Sequence, residues 1–171
     1  MIHPAPSPWR RHLVEAFNRL PRTVRKRIVR VATPNYTVGA VVLLRDHDGG
    51  LLLLRQPANH GWSLPGGLLD RLEEPAAGAL RELAEETGVR LDPADLSPGQ
   101  PNAVINPRVQ QVDCVFTSTV DGAATAFEID PVEVLEARWF PADALPPLTG
   151  PTARLLAHYG LGPRADRRRT A

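Results

Sequence analysis

A chain of 171 residues, 43% hydrophobic and 23% charged, is the size of one domain and long enough to bury a core. Its apolar runs, Val38 to Leu44 and Leu51 to Leu54, fall far short of the roughly 20 residues a membrane span needs; the lone Cys114 excludes an intrachain disulfide, and no signal-peptide core follows Met1, so a cytoplasmic protein is expected. The net charge of +1 hides eight bases against Glu15 in residues 1 to 30 and four arginines against Asp166 in residues 164 to 171, so basic ends flank an acidic body suited to gathering divalent cations.

In chain order, Met1 to Pro8 is proline-rich and expected to be disordered, and Trp9 to Leu20 spaces Leu13, Phe17 and Leu20 as a helix does. Pro21 interrupts, and a second short helix is predicted to about Val31. Thr37 to Arg45 and Leu51 to Arg55, joined by Asp46-His47-Asp48-Gly49-Gly50, form a hairpin pattern. A loop, His60 to Gly67, precedes a helix opened by Pro75 and closed by Gly88. Strands are predicted over Val109 to Val120 and Val134 to Phe140, then a closing helix over Pro151 to Tyr159 and a disordered arginine-rich tail. Cys114, among alternating strand residues without His or Asn context, is expected to be an inert thiol. The domain boundaries expected are 1–36 for a basic helical extension, 37–160 for the catalytic domain and 161–171 for the tail.

The chemistry concentrates in the helix that opens at Pro75. At 100° per residue, Glu82, Glu85 and Glu86 fall on one narrow face, while Leu80, Leu83 and Thr87 fall on another that suits sheet packing. Like charges at these spacings repel, and a hard cation such as Mg²⁺ offsets that repulsion. A glutamate-rich face is usually only solvated surface, but the preceding Pro65-Gly66-Gly67 leaves backbone bare enough to approach a metal or phosphate closely. Arg81, beside the acidic face, is placed to reach back to Glu73 with a bidentate bond. Gly78 lies under the same face, where it either leaves room for hydrated metal or is a weak spot in the helix. Trp62 and Trp139 are candidates to stack a base, although packing is the commoner use of such rings; His60 is expected at the surface.

These residues resemble the Nudix box: Gly67, Glu73, Arg81, Glu82, Leu83, Glu85, Glu86, Gly88 and Val89 fill every slot of its pattern. With seven fixed identities, an accidental match is on the order of one in ten million. Trp62 to Gly67 is similar to the family's lead-in and Glu136 to Pro141 to its late strand, so the resemblance spans roughly Thr37 to Tyr159. Leu72 departs from it where many members carry Gly, and Asp70 where many carry Glu. The resemblance implies an α/β fold, a mixed sheet sandwiched between helices, and a pyrophosphohydrolase using Mg²⁺, with Mn²⁺ able to substitute. It assigns Glu82, Glu85 and Glu86 to the metal, Glu82, Arg81 and Glu73 to catalysis, and Gly66, Gly67 and Trp62 to substrate. The general base is Glu82 or one of Glu128, Glu133 and Glu136.

The expected partner is a nucleoside diphosphate derivative, ADP-ribose or a similar sugar or alcohol diphosphate. Two alternatives stay open: an RNA 5′-end pyrophosphohydrolase or nucleic-acid-associated protein using the basic arms, and a sensing module that binds nucleotide without cleaving it. No aromatic residues interleave with the tail arginines, which counts against the first, and the box is complete, which counts against the second. A homodimer is left open.

Overall fold

The computed structural model describes residues 8–165; of the segments expected to be disordered, 1–7 and 166–171 lie outside the described residues, whereas Pro8 opens a helix and Leu161, the first residue of the expected tail, packs against a buried apolar cluster. Its contacts divide the chain into two units, Met1–Tyr36 and Thr37–Ala171.

The first unit holds α1 (Pro8–Arg19) and α2 (Arg22–Ala32). Pro21 stands just ahead of α2, where its fixed φ suits a helix start, and its carbonyl accepts the Arg25 amide. None of the residues of this unit described for burial is buried.

The second unit is built on one mixed sheet. Its strands are β1 (Thr37–Asp46), β2 (Leu51–Arg55), β3 (Trp62–Ser63), β4 (Gly66–Leu68), β5 (Ser97–Asn106), β6 (Gln111–Val120) and β7 (Glu136–Phe140). The main order is β3-β2-β1-β6-β5, with β4 paired to β1 and β7 to β2. β1 runs parallel to β6 along its whole length, Thr37 opposite Gln111 to Asp46 opposite Val120, and antiparallel to β2 and β4 on its other edge.

Two helices, α3 (Pro75–Thr87) and α4 (Gly150–Ala157), cover opposite faces of the sheet. Because side chains alternate along a strand, Ala40, Val42 and Leu44 of β1 pack with Leu52, Leu54, Ala79 and Leu83 on the α3 side. Leu43, Leu51 and Leu53 pack with Val115, Leu155 and Leu156 on the α4 side. Burial on both faces explains why β1 and β2 are continuous apolar runs rather than alternating ones. The sheet sandwiched between helices is therefore the architecture the family resemblance implies.

Three strands depart from the sequence expectation. β5 was not anticipated, because Pro98, Gly99 and Pro101 disfavour a strand; it survives as the end strand, where a missing amide is tolerated, with a register shift between Pro98 and Ala103. β3 and β4 replace part of the expected loop. On α3 the buried stripe is Ala79, Leu83 and Thr87, and Leu80 is only half-buried.

Candidate active site

α3 begins at Pro75, preorganised by its fixed φ, and ends at Gly88, whose φ of 75° is the left-handed conformation that stops a helix. The segment joining β4 to α3 is fastened by Arg81. Its Nε donates to Glu73 Oε1 at 2.8 Å and one terminal nitrogen to Glu73 Oε2 at 2.9 Å, the predicted fork. The other terminal nitrogen donates to Glu82 Oε1 and Glu85 Oε2, both at 2.9 Å. The Arg81 bonds, joined by the Asp70 amide donating to Oε2, hold the Glu73 carboxyl down at about 2. Glu73, and after it Glu82 and Glu85, push Arg81 further above its ordinary range.

Two glycines let this arrangement close. A Cβ at Gly67 would strike the Glu82 carboxylate, and one at Gly78 would strike Leu69 Cδ2 and meet Glu73 Oε2 at 3.0 Å. The space at Gly78 is thus taken up by the packing of the loop on the helix, which is neither of the two alternatives, room for hydrated metal or a weak spot, that the sequence left there. Leu72, which replaces the family's common glycine, adopts φ 67° and is fully in solvent.

Glu86 turns inward, away from Glu85. It is 6% exposed, and its two oxygens accept from the Gly66 amide and from Gln56 Nε2, each at 2.8 Å. Burial raises its carboxyl to about 7, helped by the negative charges of Glu82 and Glu133 and opposed by the two hydrogen bonds. The acidic face expected from helical spacing is therefore split: Glu85 is exposed on the rim, Glu82 is largely covered beside Gly67, and Glu86 is buried.

Among the described residues, no three acidic, histidine or cysteine side chains converge as a finished metal cage. Arg81 takes up Glu82 and Glu85, and Glu86 faces two neutral donors. The donor chemistry nevertheless fits a hard divalent cation. Carboxylate oxygens are its preferred ligands, and a cation would relieve a desolvated anion that two other anions oppose.

Next to Glu86 lies a cleft of about 190 Å³ lined by Gln56, Asn59, Gly66, Gln111, Asp113 and Thr152 among others. Gln56 joins the two: it donates to Glu86 and accepts from Asn59 Nδ2 at 2.7 Å. Gln111 Nε2 donates to Asp113 Oδ1 at 2.6 Å, while burial raises the Asp113 carboxyl. Of these lining residues only Gly66 was anticipated as functional; Gln56, Asn59, Gln111, Asp113 and Thr152 were not. The available signal was an acid, Asp113, set between Val112 and Cys114 in an apolar strand.

The remaining candidates separate by their surroundings. Trp62 packs edge-on against Phe140, with ring centroids 4.6 Å apart, beside the apolar cluster on the α4 side. Trp139 packs against Phe127. Gly66 spends its amide on Glu86, and Gly66 and Gly67 both pair with β1 as strand residues, so they shape the carboxylate site rather than offering a free amide cradle. His60 is exposed. Glu136 is bound by Arg55 and Arg138, and Glu128 is exposed at the end of α3, whereas the charge of Glu133 reaches Glu86. Cys114 is partly buried, and its thiol is raised by desolvation and by Asp113, which keeps it protonated and inert.

Comparison with known proteins agrees with this architecture. A CMP-5′-(N-acetyl-N-hydroxy-3-aminopropyl)phosphonate hydrolase of Streptomyces rubellomurinus is 35% identical over 136 residues, covering 72% of this chain and 64% of that protein. A MutT-like protein of Streptomyces ambofaciens is 39% identical over 64 residues, 37% of this chain and 42% of that protein. The chain thus spans less than two thirds of the length of either of these curated relatives. The crystal structure of a MutT NUDIX hydrolase from Burkholderia pseudomallei superimposes with a TM-score of 0.59 at 28% identity, over 72% of this chain and 98% of that one. The NUDIX domain model matches residues 35–159, the stretch that carries the sheet, both covering helices and every carboxylate described above, and on that match the chain belongs to the Nudix family of hydrolases.

Proposed function

We propose that this protein hydrolyses the diphosphate linkage of a nucleoside diphosphate derivative with Mg²⁺, or Mn²⁺ in its place. The observation that carries the proposal is Glu86, a carboxylate 6% exposed that is opposed by Glu82 and Glu133, an arrangement that costs stability unless a cation and an anionic substrate make use of it. Glu82, Glu85 and Glu86 would hold the metal, which when bound neutralises phosphate charge and acidifies water. Arg81 and Glu73 position this set by fixing the loop on α3. The candidates for the general base are Glu82, which Arg81 holds beside Gly67, and Glu133, whose charge reaches Glu86.

The adjoining cleft is smaller than the roughly 300–1,000 Å³ of a site that encloses a whole ligand, so it seats one part of the substrate. Its amide and acid edges suit the hydrogen-bonding rim of a base or a sugar, which leaves the diphosphate over Glu86. ADP-ribose and related sugar or alcohol diphosphates remain the leading class, and the name of the Streptomyces rubellomurinus relative adds CMP-linked phosphonates to it.

A panel of such compounds, incubated with Mg²⁺ and separated by chromatography, tests the proposal. At least one should be split at its phosphoric anhydride, and a chelator should abolish the reaction. Binding without turnover by well-folded protein would instead establish a sensing module.

A further inference from the structure

The first unit presents two helices with little to bury them. Trp9, Leu13 and Val14 of α1 are about 60% exposed, and on α2 Val24, Ile28, Val29 and Val31 are 41 to 82% exposed. Helices of 12 and 11 residues are at the lower limit of stability in water, so most of their order must come from a surface on which an apolar face is buried. On α2 Val24, Ile28, Val31 and Ala32 occupy an arc of about 100°, and Arg22, Arg25, Lys26, Arg27 and Arg30 an arc of about 200° on the other side, with Val29 among them. On α1, Trp9, Leu13, Ala16 and Phe17 share an arc of about 100°. Phe17 and Val29 floor a shallow depression rimmed by Arg22, Arg25, Lys26 and Arg30.

We propose that this helical pair is a docking surface for an anionic phospholipid layer, with the apolar arcs in the acyl boundary and the arginines and Lys26 on the headgroup phosphates. Charge complementarity selects this occupant. A second copy docking through the same pair of helices would bring the base-rich segment, eight bases against Glu15, onto itself. A nucleic acid would satisfy the bases but leave Trp9, Leu13, Val24 and Ile28 in water. An anionic lipid surface satisfies both faces at once, as an interfacial amphipathic helix with a Lys/Arg face does. No helix among the described residues is long and apolar enough to cross a membrane, and the docking proposed here requires none to do so.

The test is co-sedimentation of the full chain with sucrose-loaded vesicles, one set containing phosphatidylglycerol in phosphatidylcholine and the other phosphatidylcholine alone. Binding to the anionic set, weakened by added salt and absent from the neutral set, is expected. Leu13→Asp with Ile28→Asp should weaken it by roughly tenfold or more, because two buried apolar side chains are replaced by charge. Lys26→Glu with Arg30→Glu, which leaves the apolar arcs intact, should weaken it as well, so the result does not depend on either variant keeping its helices. Failure of the parent to bind anionic vesicles overturns the proposal, as does binding unchanged in either variant. Tighter binding to duplex RNA, retained in Leu13→Asp with Ile28→Asp, would assign the surface to nucleic acid instead. A parent dimer that this apolar variant dissociates would assign it to a second copy.

Discussion

Glu86 places a charge where water is largely excluded and where Glu82 and Glu133 oppose it, so its two protonation states differ in what they do to the fold. Its folded carboxyl sits near 7 against an ordinary 4.5, which means the folded chain binds that proton more tightly than the unfolded one. By linkage, the metal-free protein loses stability as pH rises from about 4.5 through about 7. Glu86→Gln removes this loss. One of the two donors, Gly66 or Gln56, then faces an amide NH₂, a penalty of about 1 kcal/mol set against relief of a similar or larger size. The variant should therefore melt at or above the parent without metal at a pH above about 7, and lose that advantage in acid. Turnover should fall by roughly a hundredfold or more, since the charge that would clamp the metal and the transition state is gone. A Glu86→Gln protein that melts well below the parent and turns over normally would show the carboxylates to be a structural network. Leu72 illustrates a residue whose cost is local: a left-handed φ for a leucine costs roughly 1–2 kcal/mol, and a side chain 95% exposed buries little to offset it.

At the scale of elements, α3 and the loop before it behave as one piece because Arg81 spans them. Its guanidinium contacts Glu73, Glu82, Glu85 and the Leu68 carbonyl, a set that only a planar fork can make at once. Arg81→Ala should thus lower both melting temperature and turnover, unlike Glu86→Gln, and it should also change the acid limb. Glu73 is held at about 2 against 4.5, so the parent carries a contribution present above 4.5 that disappears as pH falls toward 2. Melting curves across that range should be steeper for the parent than for Arg81→Ala; parallel curves would mean that the Glu73 pairing adds nothing to stability. Much of this element was legible beforehand, because Pro75, Gly88 and the spacing of Arg81 from Glu73 are local signals read along one helix. The inward turn of Glu86 was not, since it depends on the Gly66 amide and on Gln56, which arrive from β4 and from the end of β2. The cleft was illegible for the same reason: Gln111 and Asp113 come from β6, and Thr152 from α4. β5 was hidden by its prolines, which only an edge position excuses.

Over the whole molecule, the end of the N-terminal base-rich segment and the boundary between the two units fall in the same place. The base-rich segment falls in the unit Met1–Tyr36, and the family match begins at residue 35, so the carboxylates, Gln56, the cleft and both sheet-covering helices belong to the other unit. Two consequences follow if each unit carries its own task. A chain beginning at Thr37 keeps the hydrophobic clusters on both faces of the sheet, since every residue in them lies at Ala40 or beyond. Its melting temperature should accordingly match the parent's, and so should its kcat and KM for a small diphosphate substrate in free solution. The same truncation should abolish sedimentation with phosphatidylglycerol vesicles, because the apolar arcs and Arg22, Lys26, Arg27 and Arg30 leave with the segment. Measured side by side, the two readouts separate the units. Lost turnover in a truncated protein that still melts like the parent would show that the basic helices complete the active site, and the division of labour drawn here would fail.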